Sequence, residues 1–306
     1  MTDATVGTID AVILNFSPAS LQLLNAILAI VMFSIAIDLS PKDFRRLSRA
    51  PKPLLTGLFS QFVMLPALTF AMIVAVAPPP SIALGLMLVA ACPGGNISNF
   101  ITHRAGGNAA LSVSMTAIAT VGAILLTPLN IAFWGSLYAP TRAVLRETAI
   151  DPVSVLVTVG GMLVLPLCLG LLLNARRPDL TARIRGPLQM LSMGIFWAFV
   201  VLALAANWGN FLEYAGAVAG LVVLHNGLAL AAGYGTARVA GLGAFDRRAV
   251  MIETGIQNSG LGLILIFGFF NGLGGMAVVA ATWGIWHAVS GMALAGLLAR
   301  RPVPAM

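Results

Sequence analysis

Residues 84–100 read LGLMLVAACPGGNISNF, and the reading of this stretch decides the fold. An apolar run that would continue as one membrane helix is cut by Cys92-Pro93-Gly94-Gly95, and three polar side chains, Asn96, Ser98 and Asn99, follow at membrane depth. Proline removes a backbone donor and glycine loosens the chain, so this segment is predicted to be a broken helix. Residues 253–260, ETGIQNSG, interrupt a second apolar segment in the same way. Unwound backbone in hydrocarbon is tolerated only where it is buried in protein or lines a cavity. Two such breaks in corresponding halves of a chain are the sequence mark of a binding site near the bilayer midplane.

The composition around these breaks agrees. Of 306 residues, 59% are hydrophobic and 9% charged, with a mean hydropathy of +0.96. Soluble domains carry about 25% charged residues, so a water-soluble globular protein is excluded. At about 20 apolar residues per span, charge and Pro/Gly punctuation place spans at 18–38, 53–77, 81–103, 107–136, 151–174, 187–208, 213–240, 247–272 and 276–299. The expectation is an all-α polytopic membrane protein of about nine transmembrane helices in one domain covering 1–306. The net charge of +7 lies in short basic clusters between apolar runs, as in loops facing an anionic leaflet, so no nucleic acid is expected. Cys92 and Cys168, the two cysteines, both lie in apolar stretches and offer no disulfide framework or CxxC metal site.

Orientation follows from the basic residues. With the N-terminus outside, Lys42, Arg45, Arg46, Arg49, Lys52, Arg104, Arg176, Arg177, Arg183, Arg185, Arg238, Arg247, Arg248, Arg300 and Arg301 fall inside, and only Arg142 and Arg146 outside. That bias fits the positive-inside rule for a bacterial-type plasma membrane. Residues 1–17, with Asp3 and Asp10 and no basic start, read as a short external tail; residues 300–306 read as a cytoplasmic tail. The two halves also look related: NISN followed by GGNAALSVSM in one, QNSG followed by NGLGGMAVVA in the other. The third span runs out-to-in and the eighth in-to-out, which predicts inverted repeats with two crossed discontinuous helices, 18–150 (lacking its first helix) and 151–299.

Nine of the ten acidic residues sit in tails, loops or span ends, and Glu253 alone lies within a span. No Lys or Arg lies at comparable depth, so a proton or a bound cation must compensate this carboxylate. Gln257 is one turn on. Ser98 and Asn99 follow the first break, and Ser112 and Thr116 share a face of the next span. Hydroxyl, amide and carboxylate oxygens suit an alkali or alkaline-earth ion, and one carboxylate among neutral ligands favours Na⁺ over Ca²⁺. Gln61, polar within the second span, points to a second cation site with Gln257, Glu253 and carbonyls of the unwound stretch. His225 reads as packing, whereas His287 in the last span faces the breaks.

Several longer stretches, FSIAIDLSPKDFRRLSRAPK, CPGGNISN with the following GNAALSVSMTAIATVGAILLTPL, VVLHNG and ETGIQNSGLG, resemble the bile acid:sodium symporter family over nearly the whole chain. The resemblance implies a panel and a core domain, and secondary active transport of an organic anion (a bile salt, pantoate or a small oxo-acid) driven by two sodium ions. It implies a first sodium site of Ser98, Asn99, Ser112, Thr116 and Glu253. A second would comprise Gln61, Glu253 and Gln257 with backbone oxygens of Thr254 and Ile256. Substrate would lie at the crossing near Asn96, Asn258, Ser259 and His287. The sequence departs from the family's usual letters at Asn96 and Ala288. Partners are then the anion and the lipid bilayer, with no obligatory protein partner evident. Two other readings stay open. A proton-coupled transporter of the same fold needs only Glu253. A membrane-embedded hydrolase using Ser259 and His287 lacks a GxSG-like turn, so no enzyme activity is expected.

Overall fold

A computed structural model describes residues 51–147, 164–166, 168–206, 208–301 and 303, with positions 9–10 and several between 26 and 37. The spans expected at 18–38 and 151–174 lie largely outside the described residues. The described elements are helical, and four helices are long and apolar enough to cross a membrane by length and composition. α1 spans Pro51–Val76, with a π-helical turn at Ser60–Met64. It ends where Ala77 turns left-handed at φ 48° before three consecutive prolines. The π turn ends two residues before Pro66, whose missing N–H and bulky ring disturb the α ladder one turn back.

α2 (Pro80–Ala91) is buried at every residue from Ser81 onward, as expected of a helix that is apolar on all sides. The break at 92–96 separates it from α3 (Ile97–Arg104). α4 (Ala109–Leu137) starts at Asn108, whose side chain accepts from Leu111 N–H. α4 exposes Leu125, Leu129 and Phe133 at four-residue intervals, an apolar stripe suited to hydrocarbon. A short helix that the sequence reading did not foresee, α5 (Ala139–Glu147), follows. α6 (Pro178–Ala206) and α7 (Trp208–Val239) are long. α8 (Ala244–Gly255) and α9 (Ser259–Phe269) flank the second break, and α10 (Gly274–Ala299) closes the chain.

Both broken helices form as expected. α2 packs on α4 and α10, and α7 on α8, α10 and α1. The main apolar cluster joins Leu84, Leu88 and Val89 of α2 to Ile264 of α9 and Val279 and Trp283 of α10. α7 meets α8 so closely that a Cβ on Gly233 would stand 2.7 Å from both Met251 Cα and Val250 O. Gly235, two residues on, has nothing within 4 Å of such a Cβ. Gly233→Ala is therefore expected to destabilise the detergent-solubilised protein by about 1–3 kcal/mol, as overpacking against backbone does. Gly235→Ala gains helix propensity and leaves the melting temperature unchanged or raised. Equal melting temperatures for the two variants would refute this account of the α7–α8 contact.

Candidate functional site

The two breaks meet. Gly95 N–H donates to Ile256 O and Asn258 N–H donates to Pro93 O, both at 2.8 Å, around an antiparallel bridge between Gly94 and Gln257. Backbone groups freed by unwinding thus satisfy one another across the crossing, as a buried, non-helical segment requires. The end of α2 is completed by side chains: Thr127 Oγ1 donates to Ala91 O at 2.6 Å and Gln61 Nε2 to Cys92 O at 2.7 Å.

Glu253, 1% exposed, sits less than one turn before the end of α8. Its Oε2 accepts from Ser98 Oγ at 2.5 Å and from Ser112 Oγ at 2.8 Å. Its Oε1 accepts from Thr116 Oγ1 at 2.5 Å, and the same hydroxyl lies 3.2 Å from Asn99 Oδ1. All five residues that sequence reasoning assigned to one cage therefore converge, from three helices. Three hydroxyl donors replace the water that a carboxylate loses on burial. Room for the carboxylate comes from Gly94, where a Cβ would collide with Glu253 Oε1.

The second set converges in part. Gln61, set inward by the π turn, donates through Nε2 to Gln257 Oε1 at 2.7 Å, and Gln257 Nε2 donates to Gln61 Oε1 at 3.2 Å and to Thr254 O at 2.6 Å. This buried amide pair bridges α1 to the second break. Glu253 directs its carboxylate to the hydroxyl cage instead, and the Ile256 carbonyl is taken by Gly95.

Around the crossing, Asn96 is exposed and makes no side-chain bond to α3's first turn, while Asn258 caps α9 by accepting from Leu261 N–H at 3.0 Å. Ser259 lies against α10, where a Cβ on Gly284 would be 2.8 Å from its Oγ. His287, one turn further along α10, is 6% exposed, and its Nδ1 has no hydrogen-bond partner. Sequence reading missed Ser60, whose Oγ accepts from Thr254 Oγ1 at 3.1 Å. It took His225 as packing, and this buried ring lies tilted against Trp283 at 4.7 Å; what it did not foresee is the 2.6 Å bond of Nε2 to Thr69 Oγ1. Thr69 and Trp283 sit in apolar runs, and nothing in their spacing marks them as polar partners. Among the described residues no group of three His, Cys, Asp or Glu side chains is placed to hold a metal ion.

The family model described as "Sodium Bile acid symporter family" matches residues 26–214, more than half of the chain. The chain is 31% identical over 288 residues to an uncharacterized sodium-dependent transporter, YocS, of Bacillus subtilis, covering 92% of this chain and 86% of that one. It is 31% identical over 283 residues to a probable chloroplastic sodium/metabolite cotransporter, BASS2, of Oryza sativa subsp. japonica, covering 91% of this chain and 64% of that one. An ileal sodium/bile acid cotransporter of Oryctolagus cuniculus is 30% identical over 246 residues, covering 78% of this chain and 67% of that one. With its apolar helices and paired helix breaks, the chain belongs to the sodium bile acid symporter family of membrane transporters.

Proposed function

We propose that this chain is a sodium-coupled symporter that takes up an organic anion, such as a bile salt, pantoate or a small oxo-acid, by alternating access. It would do so in a bacterial-type plasma membrane, with its N-terminus outside and its C-terminus inside and without an obligatory protein partner. The observation that carries this reading is Glu253, a buried carboxylate ringed by Ser98, Ser112 and Thr116 hydroxyls and the Asn99 carboxamide, with no cationic side chain among its bonds. A hydroxyl that donates to a carboxylate keeps lone pairs that can turn to a monovalent cation. Na⁺ entering here neutralises Glu253 and ties α3, α4 and α8 together. The sodium-dependent and sodium-cotransporting relatives support the same ion.

A second Na⁺ is assigned to the oxygens of Gln61, Gln257 and Thr254, with Glu253 and the Ile256 carbonyl completing the site as the bridge at the crossing adjusts. The anion is assigned to the crossing between Asn96, Asn258, Ser259 and His287. Of the two half-helices that begin there, α9 is capped by its own Asn258, whereas α3 has no side-chain cap. The positive dipole end of α3, beside the exposed Asn96 side chain, is the better anchor for a carboxylate or sulfonate. Rocking of one bundle, the panel, against the other, the core that holds this crossing, then exposes it alternately to either side.

Two Na⁺ with one monoanion carry one net positive charge, worth about 2.3 kcal/mol per 100 mV, and a tenfold Na⁺ gradient adds about 1.4 kcal/mol per ion. In proteoliposomes, a Na⁺ gradient is expected to drive inward current together with uptake of at least one of taurocholate, pantoate and pyruvate. Uptake that proceeds equally in K⁺ and follows pH would refute sodium coupling and favour protons at Glu253.

A further inference from the structure

Asn226 of α7 is 1% exposed, and both ends of its carboxamide are engaged. Its Nδ2 donates to Gly255 O at 2.8 Å, and its Oδ1 accepts from Ser290 Oγ at 2.7 Å. Gly255 is the last residue of α8, two beyond Glu253. In the other half of the chain Gln61 of α1 does the corresponding work, donating to Cys92 O just beyond α2. Gln61 and Asn226 thus do corresponding work at the two breaks. Each stands on the long helix that precedes a broken one, and each supplies the donor for a carbonyl that unwinding leaves without its intrahelical partner.

Their remaining contacts differ. Gln61 reaches across to Gln257, whereas Asn226 receives its bond from Ser290 of α10, the helix that carries His287. We propose that Asn226 is a positioning residue for sodium binding. Through Gly255 it fixes the end of the half-helix that presents Glu253, and through Ser290 it holds that end in register with α10. Glu253 meets hydroxyls of two other helices at 2.5–2.8 Å, a geometry that a shift of the α8 terminus would spoil. Asn226 touches no ion itself. Its side chain also ties the α8 terminus to α10.

This inference rests on the sodium reading of the Glu253 cage, and the experiment separates the two. The purified full-length protein is titrated with NaCl at constant ionic strength, KCl replacing it, and the melting temperature is followed for wild type, Asn226→Ala, Ser290→Ala, Ser290→Thr and the double alanine variant. The expected result is a sodium half-saturation raised about tenfold or more in Asn226→Ala and a few-fold in Ser290→Ala. Ser290→Thr, which keeps the hydroxyl, stays close to wild type, and the double variant is no worse than Asn226→Ala because Ser290 acts through Asn226. Variants that melt lower in K⁺ yet keep the wild-type sodium half-saturation would overturn the positioning role, leaving Asn226 as a structural brace. If Asn226→Ala does not fold, the Ser290→Ala and Ser290→Thr pair decides by the same criterion. A wild type with no sodium response would overturn the sodium reading itself, and the positioning role with it.

Discussion

Glu253→Gln is expected to abolish sodium-dependent stabilisation and sodium-driven uptake while leaving the protein folded. Glutamine keeps the length and planar end of the side chain, and the hydroxyls of Ser98, Ser112 and Thr116 can each accept as well as donate. The neutral amide therefore fits among the same three partners. What it lacks is the charge that makes the cage attractive to a cation. In K⁺ the variant is expected to melt at or above the wild-type temperature, because an intramembrane carboxylate costs about 2.5–3.5 kcal/mol on insertion scales and its removal relieves that cost. In Na⁺ the order inverts. A ligand present at a hundred times its dissociation constant stabilises the folded wild type by about 2.7 kcal/mol, and the variant gains none of this. Melting curves for both proteins in matched NaCl and KCl check the crossing of the two orders. A variant that still responds to Na⁺ as the wild type does would remove Glu253 from the site.

The hydroxyl cage was legible because each member announced itself. Glu253 was the one acid within a span, and Ser98, Asn99, Ser112 and Thr116 were oxygen-bearing residues placed around a helix break in an otherwise apolar chain. The breaks were legible for a related reason, since Pro93 followed by Gly94 and Gly95 in one, and polar residues between Gly255 and Gly260 in the other, give an apolar α-helix few ways to continue. The sequence did not foretell the π turn at Ser60–Met64. It depends on how α1 accommodates Pro66 against its neighbours, and a single proline is compatible with a kink, a bulge or a helix start. Nor did it foretell that Asn258 caps α9 while Asn96 leaves α3 open, because both read as polar residues at the start of a half-helix. Asn226 was passed over, and His225 was read as packing without its bond to Thr69. Their partners, Gly255, Ser290 and Thr69, come from three other helices, and nothing in the spacing of the sequence brings these together.

Removing Gln61 is expected to change the charge moved per transport cycle. In Gln61→Leu the pairing with Gln257 is lost, and with it the oxygen that α1 contributes to the proposed second sodium site; the Glu253 cage on α3, α4 and α8 is left in place. Sodium dependence of uptake should fall from a Hill coefficient near two to one near one, with half-saturation raised about tenfold or more. The Cys92 carbonyl also loses its donor, so stability should drop by about 1–3 kcal/mol, the usual penalty for a buried polar group left without a partner. The charge prediction is independent of that loss. One Na⁺ with one monoanion is neutral, so residual uptake should no longer respond to membrane potential, whereas the wild type should gain about 2.3 kcal/mol of driving force per 100 mV. The measurement is uptake by proteoliposomes at several imposed potassium diffusion potentials, normalised to the rate at zero potential so that reduced protein yield cancels. Unchanged voltage dependence in Gln61→Leu, with the Hill coefficient still near two, would place the second ion away from α1. A wild type that is itself insensitive to potential would require either a divalent anion or a single sodium ion, and taurocholate, a monoanion, separates those cases.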